Sequence, residues 1–367
     1  MKTGTEIATG LRSEWLDLLE RDSMGDPRLH PDWILDPASG RRPIIYTERN
    51  RTALRSLAVL RPERTRPLGT GPSLVSYNLV CDRLMGDGGP KSCTAFAGAL
   101  ARSLASGAVD YIQFNDLEQG SPLWDALHAI DREHGATLHC HRTPPARWWV
   151  DLPAQPERYW AKFSSKTRGS LRYRVRKLQK LGSEFLAYTS PQDMPALTAA
   201  ITTLYPSTWQ HRRHGLAGSP YLSEPGLWEF VANLGALRSY VLWLQGRPLA
   251  YVVGTQWNHH FITIETGYDT AHRELGAGTV LTYLMLEDLI ARRSPHVVDW
   301  GFGDYDYKRV FSTRSTHSGR ALLVARRLRP QCVARLAFTA LEARLLLSAV
   351  LKRIGIFQQV KRLYHKA

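Results

Sequence analysis

Two short stretches of the 367-residue chain hold residue types dense enough to do chemistry. GFGDYDYKRVF, from Gly301 to Phe311, sets glycines, carboxylates, tyrosines and a lysine directly after the apolar run HVVDW. Such a run reads as a buried strand, and loops at the carboxyl ends of strands are where binding and catalytic groups gather. The second stretch, HRELGAGTVL, places Arg273, Gly276 and Gly278 in the pattern R-x-x-G-x-G. Glycines let the backbone approach a ligand closely, and the free amides of a following helix, aided by its dipole, form a natural pyrophosphate site. A glycine pair before a helix is common in itself, so its meaning rests on the elements that position it.

Those elements alternate in the first part of the chain. Leu11, Trp15, Leu18 and Leu19 share one face of a helix. PIIYTE and LRSLAVLRP read as strands joined at RNR, and GTGPSLVSYNLVCD leads into another. SCTAFAGALARSLASG reads as a helix stopped by Gly107, VDYIQFNDL as a strand, SPLWDALHAIDREHG as a helix ending at Gly135, and RWWVDLP as a strand. This alternation predicts an α/β domain over residues 1–153. A second domain, 154–329, opens with PERYWAKFSSKTRGSLRYRVRKLQKLG, read as one helix whose cations include Lys162, Lys166, Arg168, Arg172, Arg174 and Arg176 against Glu157 alone. Its apolar stripe of Tyr159, Phe163, Leu171, Val175 and Leu178 marks an amphipathic helix with a solvated basic face. MPALTAAITTLYPSTWQHR then reads as a further helix. RSYVLWLQ, RPLAYVVGTQW and HHFITIETGYD follow as an antiparallel meander turning at Gln245-Gly246 and near Asn258. A helix from about Gly276 and the strand HVVDWG complete the unit. A Rossmann assignment fails, because that fingerprint follows a strand of a parallel βαβ unit and this loop closes a meander.

Composition sets the outer bounds. A hydrophobic content of 43% and eleven tryptophans describe a folded globular chain. The formal charge of +15 favours anionic partners: nucleic acid, an acidic membrane surface or a phosphorylated ligand. Cys81, Cys93, Cys140 and Cys332 lack the paired spacing of zinc or redox motifs and read as reduced thiols of a cytoplasmic protein. The pairs His211/His214 and His139/His141 lack a third ligand, so no metal is expected. No apolar run reaches signal-peptide or membrane-spanning form. Residues 330–367 read as a basic amphipathic helical tail, with Arg335, Arg344, Lys352, Arg353, Lys361, Arg362 and Lys366 opposed by Glu342. Such a tail packs its leucine-rich face on the domain, or lies on an anionic membrane or docks on a partner, the last two fitting a membrane-associated scaffold without catalysis.

Meander, glycine loop, helix and strand, in that order, resemble the GNAT acyltransferases. The resemblance narrows to the FemAB-like branch and its CelD-type acetyltransferase domain of bacteria. YWAKFSSKTRGSLRYRVRKLQKLG resembles the family's basic helix, STWQHRRHG its tryptophan segment, VLWLQGRPLAYVVG its meander, GYDTAHRELGAGTVL its coenzyme loop and VDWGFGDYDYKRVF its closing strand with a G-D-x-x-Y-K signature. Gly276-Ala277-Gly278 stands where many relatives have Ser-Pro-Gly.

The resemblance implies an α/β fold of two tandem GNAT-like domains, each a mixed, mostly antiparallel sheet flanked by helices, with the basic tail appended. The resemblance implies that residues 1–153 form the degenerate copy, without a cofactor loop. The implied reaction passes an acyl group from acetyl-CoA or a longer acyl-CoA to a primary amine. Arg273, Leu275, Gly276, Ala277, Gly278 and Thr279 are implied donor-binding residues. Such chemistry needs a proton acceptor for the amine and donors for the oxyanion and the leaving thiolate. Glu265 and Asp304 are candidate bases, Tyr307 a candidate hydroxyl donor, and Lys308 a candidate charge stabiliser. Each has a structural alternative: turn capping or arginine pairing for Asp299 and Asp304, a surface position for Lys308 and Glu265. Lys166, Arg168, Arg172 and Trp209 are candidate substrate-binding residues. FemAB-type relatives use aminoacyl-tRNA, so Arg168 and Arg172 are also candidates for RNA phosphates.

Overall fold

The protein is described from a computed structural model, which defines residues 2–3, 9–36, 40, 42–51, 53–66, 73–133, 136–140, 144–153, 155–292, 295–303 and 305–353. Along the chain run β1 (Lys2–Thr3), α1 (Thr9–Arg21), α2 (Pro31–Ile34), β2 (Ile44–Asn50), β3 (Ala53–Thr65), β4 (Leu74–Leu79) and β5 (Met85–Gly86). Next come α3 (Pro90–Ala105), β6 (Tyr111–Glu118), α4 (Pro122–Glu133), β7 (Ala136–Cys140), β8 (Ala146–Asp151), α5 (Pro156–Ala161) and α6 (Ser165–Lys180). They are followed by β9 (Ser183–Tyr188), α7 (Met194–Leu204), α8 (Trp209–His214), α9 (Pro220–Ser223), α10 (Pro225–Asn233), β10 (Ser239–Leu244), β11 (Arg247–Trp257) and β12 (His260–Tyr268). The last are α11 (Ala277–Ala291), β13 (Val297–Phe302), α12 (Asp306–Phe311), β14 (Arg314–Ala325) and α13 (Leu328–Arg353).

Two compact units divide the chain, and neither is contiguous: residues 1–6, 42–144 and 318–367 form one, and 7–41 with 145–317 the other. Contiguous blocks of 1–153 and 154–329 therefore do not describe them. Residues 9–36, read from the sequence as the start of the first domain, dock in the second unit. Trp15, Leu18 and Leu19 of α1 are buried there, the Trp257 indole N–H donates to the Leu19 carbonyl at 3.2 Å, and the Asn258 amide donates to the Glu20 carbonyl at 2.7 Å. Gly25 is obligatory at this contact, since a Cβ would stand 2.6 Å from the Trp257 ring.

In the first unit β2, β3 and β4 form an antiparallel meander, and α3 leads to β6, which runs parallel to β4. Residues 318–325 of β14 close the sheet against β6 and β7, a strand that the sequence reading did not separate from the second domain. Phe96, Leu100, Ile112, Phe114, Leu127 and Leu323 fill its core. Val333 and Ala334, in the first turns of α13, pack on Leu74, Tyr111, Leu322 and Val324. The tail beyond Arg353 lies outside the described residues.

The second unit repeats the plan. β9, β10, β11 and β12 are antiparallel in sequence order, α11 follows, and β13 runs parallel to β12. Alternation along the strands divides two cores, as the two-residue period of a pleated strand requires. Tyr240, Leu242, Ala250 and Val252 face α6 and α11, whereas Val241, Tyr251 and Val253 face α7 and α10. Gln245 and Gly246 have φ of 50° and 75°, and Asn258 has φ of 50°, so both meander turns fall where their residue types permit left-handed backbone. The charged segment read as one helix is two: the Ser164 hydroxyl accepts from the Thr167 amide at 3.1 Å and starts α6 afresh. Leu171, Val175 and Leu178 then give α6 its buried face. Residues 305–307, read as a strand or turn, instead enter α12, which begins at Asp306.

β12 and β13 pair only over 260–262 and 297–299. At the point of parting, Asp299, 1% exposed, makes an ion pair with Arg147 of β8 and accepts from the Gly301 amide at 2.7 Å. Removing one partner strands a buried charge, which costs ~3–5 kcal/mol. Arg147→Met is expected to lower the unfolding free energy, read from urea denaturation, by that amount. Asp299→Asn, which still accepts from Gly301, loses less, and the double variant recovers part of the loss because no unpaired charge is left.

Candidate functional site

Beyond the parting, β12 continues to Tyr268 bonded to β11 alone, and a cavity of about 720 Å³ opens within the second unit. Tyr251 and Val252 of β11, Thr266 to Tyr268 of β12, the first turn of α11, Arg174 of α6, Trp209 and Gln210 of α8, and Tyr305 to Tyr307 line it. Gly267 makes room for one wall, since a Cβ there would lie 2.4 Å from the Tyr251 ring.

One end is built for an anion. The chain closes the Thr270–Leu275 turn, capped by Asp269 accepting from the Ala271 amide at 2.9 Å, and passes through Gly276 in left-handed backbone with φ 64°. Gly276 is the N-cap of the 15-residue α11 and supplies no side-chain cap. The first-turn amides of that helix have no intrahelical acceptor, and its dipole adds positive potential there. Arg174 and Arg273 line the same end. A Cβ on Gly276 would stand 2.8 Å from the Arg174 guanidinium, so glycine is what lets the arginine close over the loop.

The equivalent helix of the first unit, α3, is closed. Pro90 removes an amide at its start, and Asp87 accepts from the Gly89 amide at 2.8 Å while pairing with Arg55. Those bonds, from Gly89 first and Arg55 next, hold the Asp87 carboxyl below its ordinary value. The start of this helix thus carries a proline and a carboxylate of the protein beside it.

At the other end of the cavity Tyr307 contacts Trp300 edge-on and Tyr305 in a stack. Burial pushes its phenol up to about 12, against a hydrogen bond with Thr266 that works the other way. Trp209, a candidate substrate residue, does face this space and packs on Tyr305 at 5.9 Å. Glu265 is not on the surface: it is 7% exposed behind the cavity wall. It accepts from the Tyr251 hydroxyl, from the Ser219 hydroxyl at 2.7 Å and from the Tyr221 amide at 3.2 Å. Burial raises its carboxyl above the ordinary value, and the three donors offset part of that rise.

Arg273, Gly276, Ala277, Gly278 and Thr279 stand together at the anion end, whereas half-buried Leu275 does not line the cavity. Lys308 does not line it either: the ammonium is buried and donates to the Trp300 carbonyl at 2.6 Å. Asp304 lies outside the described residues. Arg168 points to the end of α5, donating to the Phe163 carbonyl at 2.6 Å. Arg172 hydrogen-bonds Tyr283, and Lys166 is exposed. Arg174, Gln210, Tyr251, Tyr268 and Tyr305 are lining residues that the sequence reading did not assign to the site. Adjacency to Trp209 was the available signal for Gln210. Tyr251, inside an apolar strand, gave none.

Among the described residues no group of three His, Cys, Asp or Glu side chains converges to hold a metal ion, and no helix is long and apolar enough to cross a membrane. Residues 165–309 match the family model of the acetyltransferase (GNAT) domain. No curated protein matches the chain in sequence. In fold it is similar to FemX, at 11% identity and a TM-score of 0.61 over 92% of this chain and 99% of that one. It is also similar to the C-terminal domain (DUF2156) of a putative lysylphosphatidylglycerol synthetase from Agrobacterium fabrum, at 10% identity and a TM-score of 0.57 over 91% and 96%. A third likeness is to L-PGS from Bacillus licheniformis, at 10% identity and a TM-score of 0.51 over 89% and 95%. The glycine loop lies inside the segment, residues 165–309, that matches the acetyltransferase (GNAT) domain, and the fold around it is similar to that of FemX.

Proposed function

We propose that the protein is an N-acyltransferase that moves an acyl group from acyl-CoA, acetyl-CoA or a longer thioester, to a primary amine of a small-molecule or cell-envelope acceptor. The open start of α11, with Arg174 and Arg273 beside it, carries this reading. A pyrophosphate presents the charge and the oxygen acceptors that free amides and guanidinium groups bind, and the cradle at Gly276 is one that a Cβ would fill. Tyr305 and Tyr307 line the same cavity. A phenol with its pKa pushed up to about 12 stays protonated at neutral pH, so Tyr307 can give a proton to the leaving thiolate.

A second reading, an aminoacyl-tRNA donor, is favoured by the exposed cations of α6: Lys166, Arg172, Arg176, Lys177 and Lys180. A nucleic-acid donor would engage them through phosphates, with affinity falling steeply as salt rises.

Titration calorimetry with acetyl-CoA separates the two. Saturable binding is expected, with a rise in thermal midpoint corresponding to about 2.7 kcal/mol at a hundredfold excess over Kd. Arg273→Ala and Arg174→Ala are each expected to weaken it roughly tenfold, the size of one charge-assisted hydrogen bond. Gly276→Ala is expected to weaken it as well, by straining the φ 64° backbone and displacing Arg174. Absence of acetyl-CoA binding together with salt-dependent binding of charged tRNA replaces the first reading with the second.

A further inference from the structure

We propose that Tyr251 is the catalytic residue that takes the proton from the acceptor amine, passing its own to buried Glu265, while Gln210 Oε1 orients the amine by accepting an N–H bond. The proposal rests on the acyl-transfer reading above and assigns the group that meets the nucleophile.

Three observations carry it. Tyr251 lines the cavity and its hydroxyl donates to Glu265, which is behind the wall. A carboxylate that does not reach the cavity can act on a substrate only through an intermediary, and the tyrosine hydroxyl is placed as one. Gln210 supplies the second. Its Nε2 donates to the Thr266 carbonyl, which fixes the amide orientation and leaves Oε1 as the free acceptor. That oxygen is buried and has no hydrogen-bond partner among the described residues. An amine N–H is the donor that would satisfy it. Third, the two residues line the same cavity and engage adjacent positions of β12: Gln210 is anchored on Thr266, and Tyr251 is paired in register with Gly267.

The electron and proton balance closes. The nitrogen lone pair forms the C–N bond, and the C–S bond breaks with its electron pair leaving on sulfur. One amine proton passes to Tyr251 Oη as the tyrosine proton passes to Glu265 Oε1, so the carboxylate becomes a carboxylic acid and the phenol is unchanged. Tyr307 protonates the thiolate and is reprotonated from solvent, and Glu265 releases its proton to solvent through Tyr251. The groups facing Glu265 are Tyr251 on β11, Tyr205 after α7, and Ser219 and Tyr221 at α9. The relay requires ionised Glu265, so the rate falls as pH drops through a value above the ordinary carboxylate range.

Thiol release from acetyl-CoA, with ethylamine and hydroxylamine as probe nucleophiles, tests the relay. Tyr251→Phe keeps the ring on Gly267 and is expected to lower kcat by about 100-fold or more, with the KM for acetyl-CoA unchanged, and to abolish the acidic limb of the pH profile. Glu265→Gln is expected to remove the same limb. Gln210→Leu is expected to raise the KM for the amine alone. A Tyr251→Phe enzyme with near-normal kcat and an intact acidic limb overturns the proposal. An infrared pH titration needs no turnover: the buried carboxyl band should vanish in Glu265→Gln and titrate at higher pH in Tyr251→Phe, which loses a donor to the charged form. A band unmoved by Tyr251→Phe overturns the coupling. A moved band in a protein that binds no acetyl-CoA sinks the donor reading while leaving the pair standing.

Discussion

The site depends on two parallel strands that stop pairing. Ending a ladder inside a protein exposes backbone groups that must find other partners. On the β13 side, the Trp300 carbonyl accepts from Lys308, the Gly301 amide donates to Asp299, and the Gly303 amide donates to the Ala146 carbonyl. On the β12 side, the Thr266 carbonyl accepts from Gln210. Side chains and, at Gly303, the backbone of β8 have replaced the missing bonds, so the gap stays open without orphaned backbone at these positions. The lysine of the G-D-x-x-Y-K signature has its place in this repair. Its ammonium holds the strand end from which Tyr305 and Tyr307 reach the cavity.

The segment carrying those tyrosines is fastened at its far end as well. Tyr159 donates to the Phe311 carbonyl at 2.6 Å, and Lys162 donates to the Phe311 and Ser312 carbonyls. These are the carbonyls that the end of a short helix leaves unpaired. A six-residue helix has little stability of its own. Residues from α5 and its C-cap hold it, and through it Tyr307 keeps its hydrogen bond with Thr266. The break between α5 and α6 at Ser164 serves this geometry: α5 turns toward α12, and α6 carries Arg174 to the other end of the cavity.

Much of the fold could be read from the sequence, because periodicity and turn chemistry are local. The meander turns at Gln245-Gly246 and Asn258, the stop at Gly107 and the glycine loop at Gly276 each sit where only a few residue types are comfortable. Three things escaped for non-local reasons. The N-terminal helix belongs to the second unit because Trp257 and Asn258 receive it, and a helix's own pattern does not say what covers its apolar face. The destination of β14 was hidden for the same reason, since strand pairing is a property of partners. At the site, Lys308 and Arg168 read as free cations because a carbonyl partner leaves no mark in the sequence. Tyr251 and Gln210 read only as members of a strand and a helix because their neighbours are distant in the chain.

The burial of Glu265 has an electrostatic logic that a cavity-facing carboxylate would break. A cavity whose one end is furnished with Arg174, Arg273 and the positive end of α11 is suited to anions, and a negative side chain inside it would oppose whatever anion is bound there. The carboxylate instead stands behind Tyr251, a lining residue, and is ringed by three hydrogen-bond donors. Asp87 in the first unit is the counterexample within the same chain. There a carboxylate stands beside the start of the corresponding helix, bonded to Gly89 and Arg55. The two units thus share a sheet plan and differ in where they keep a negative charge: at the mouth of the helix in one, one layer behind the wall in the other.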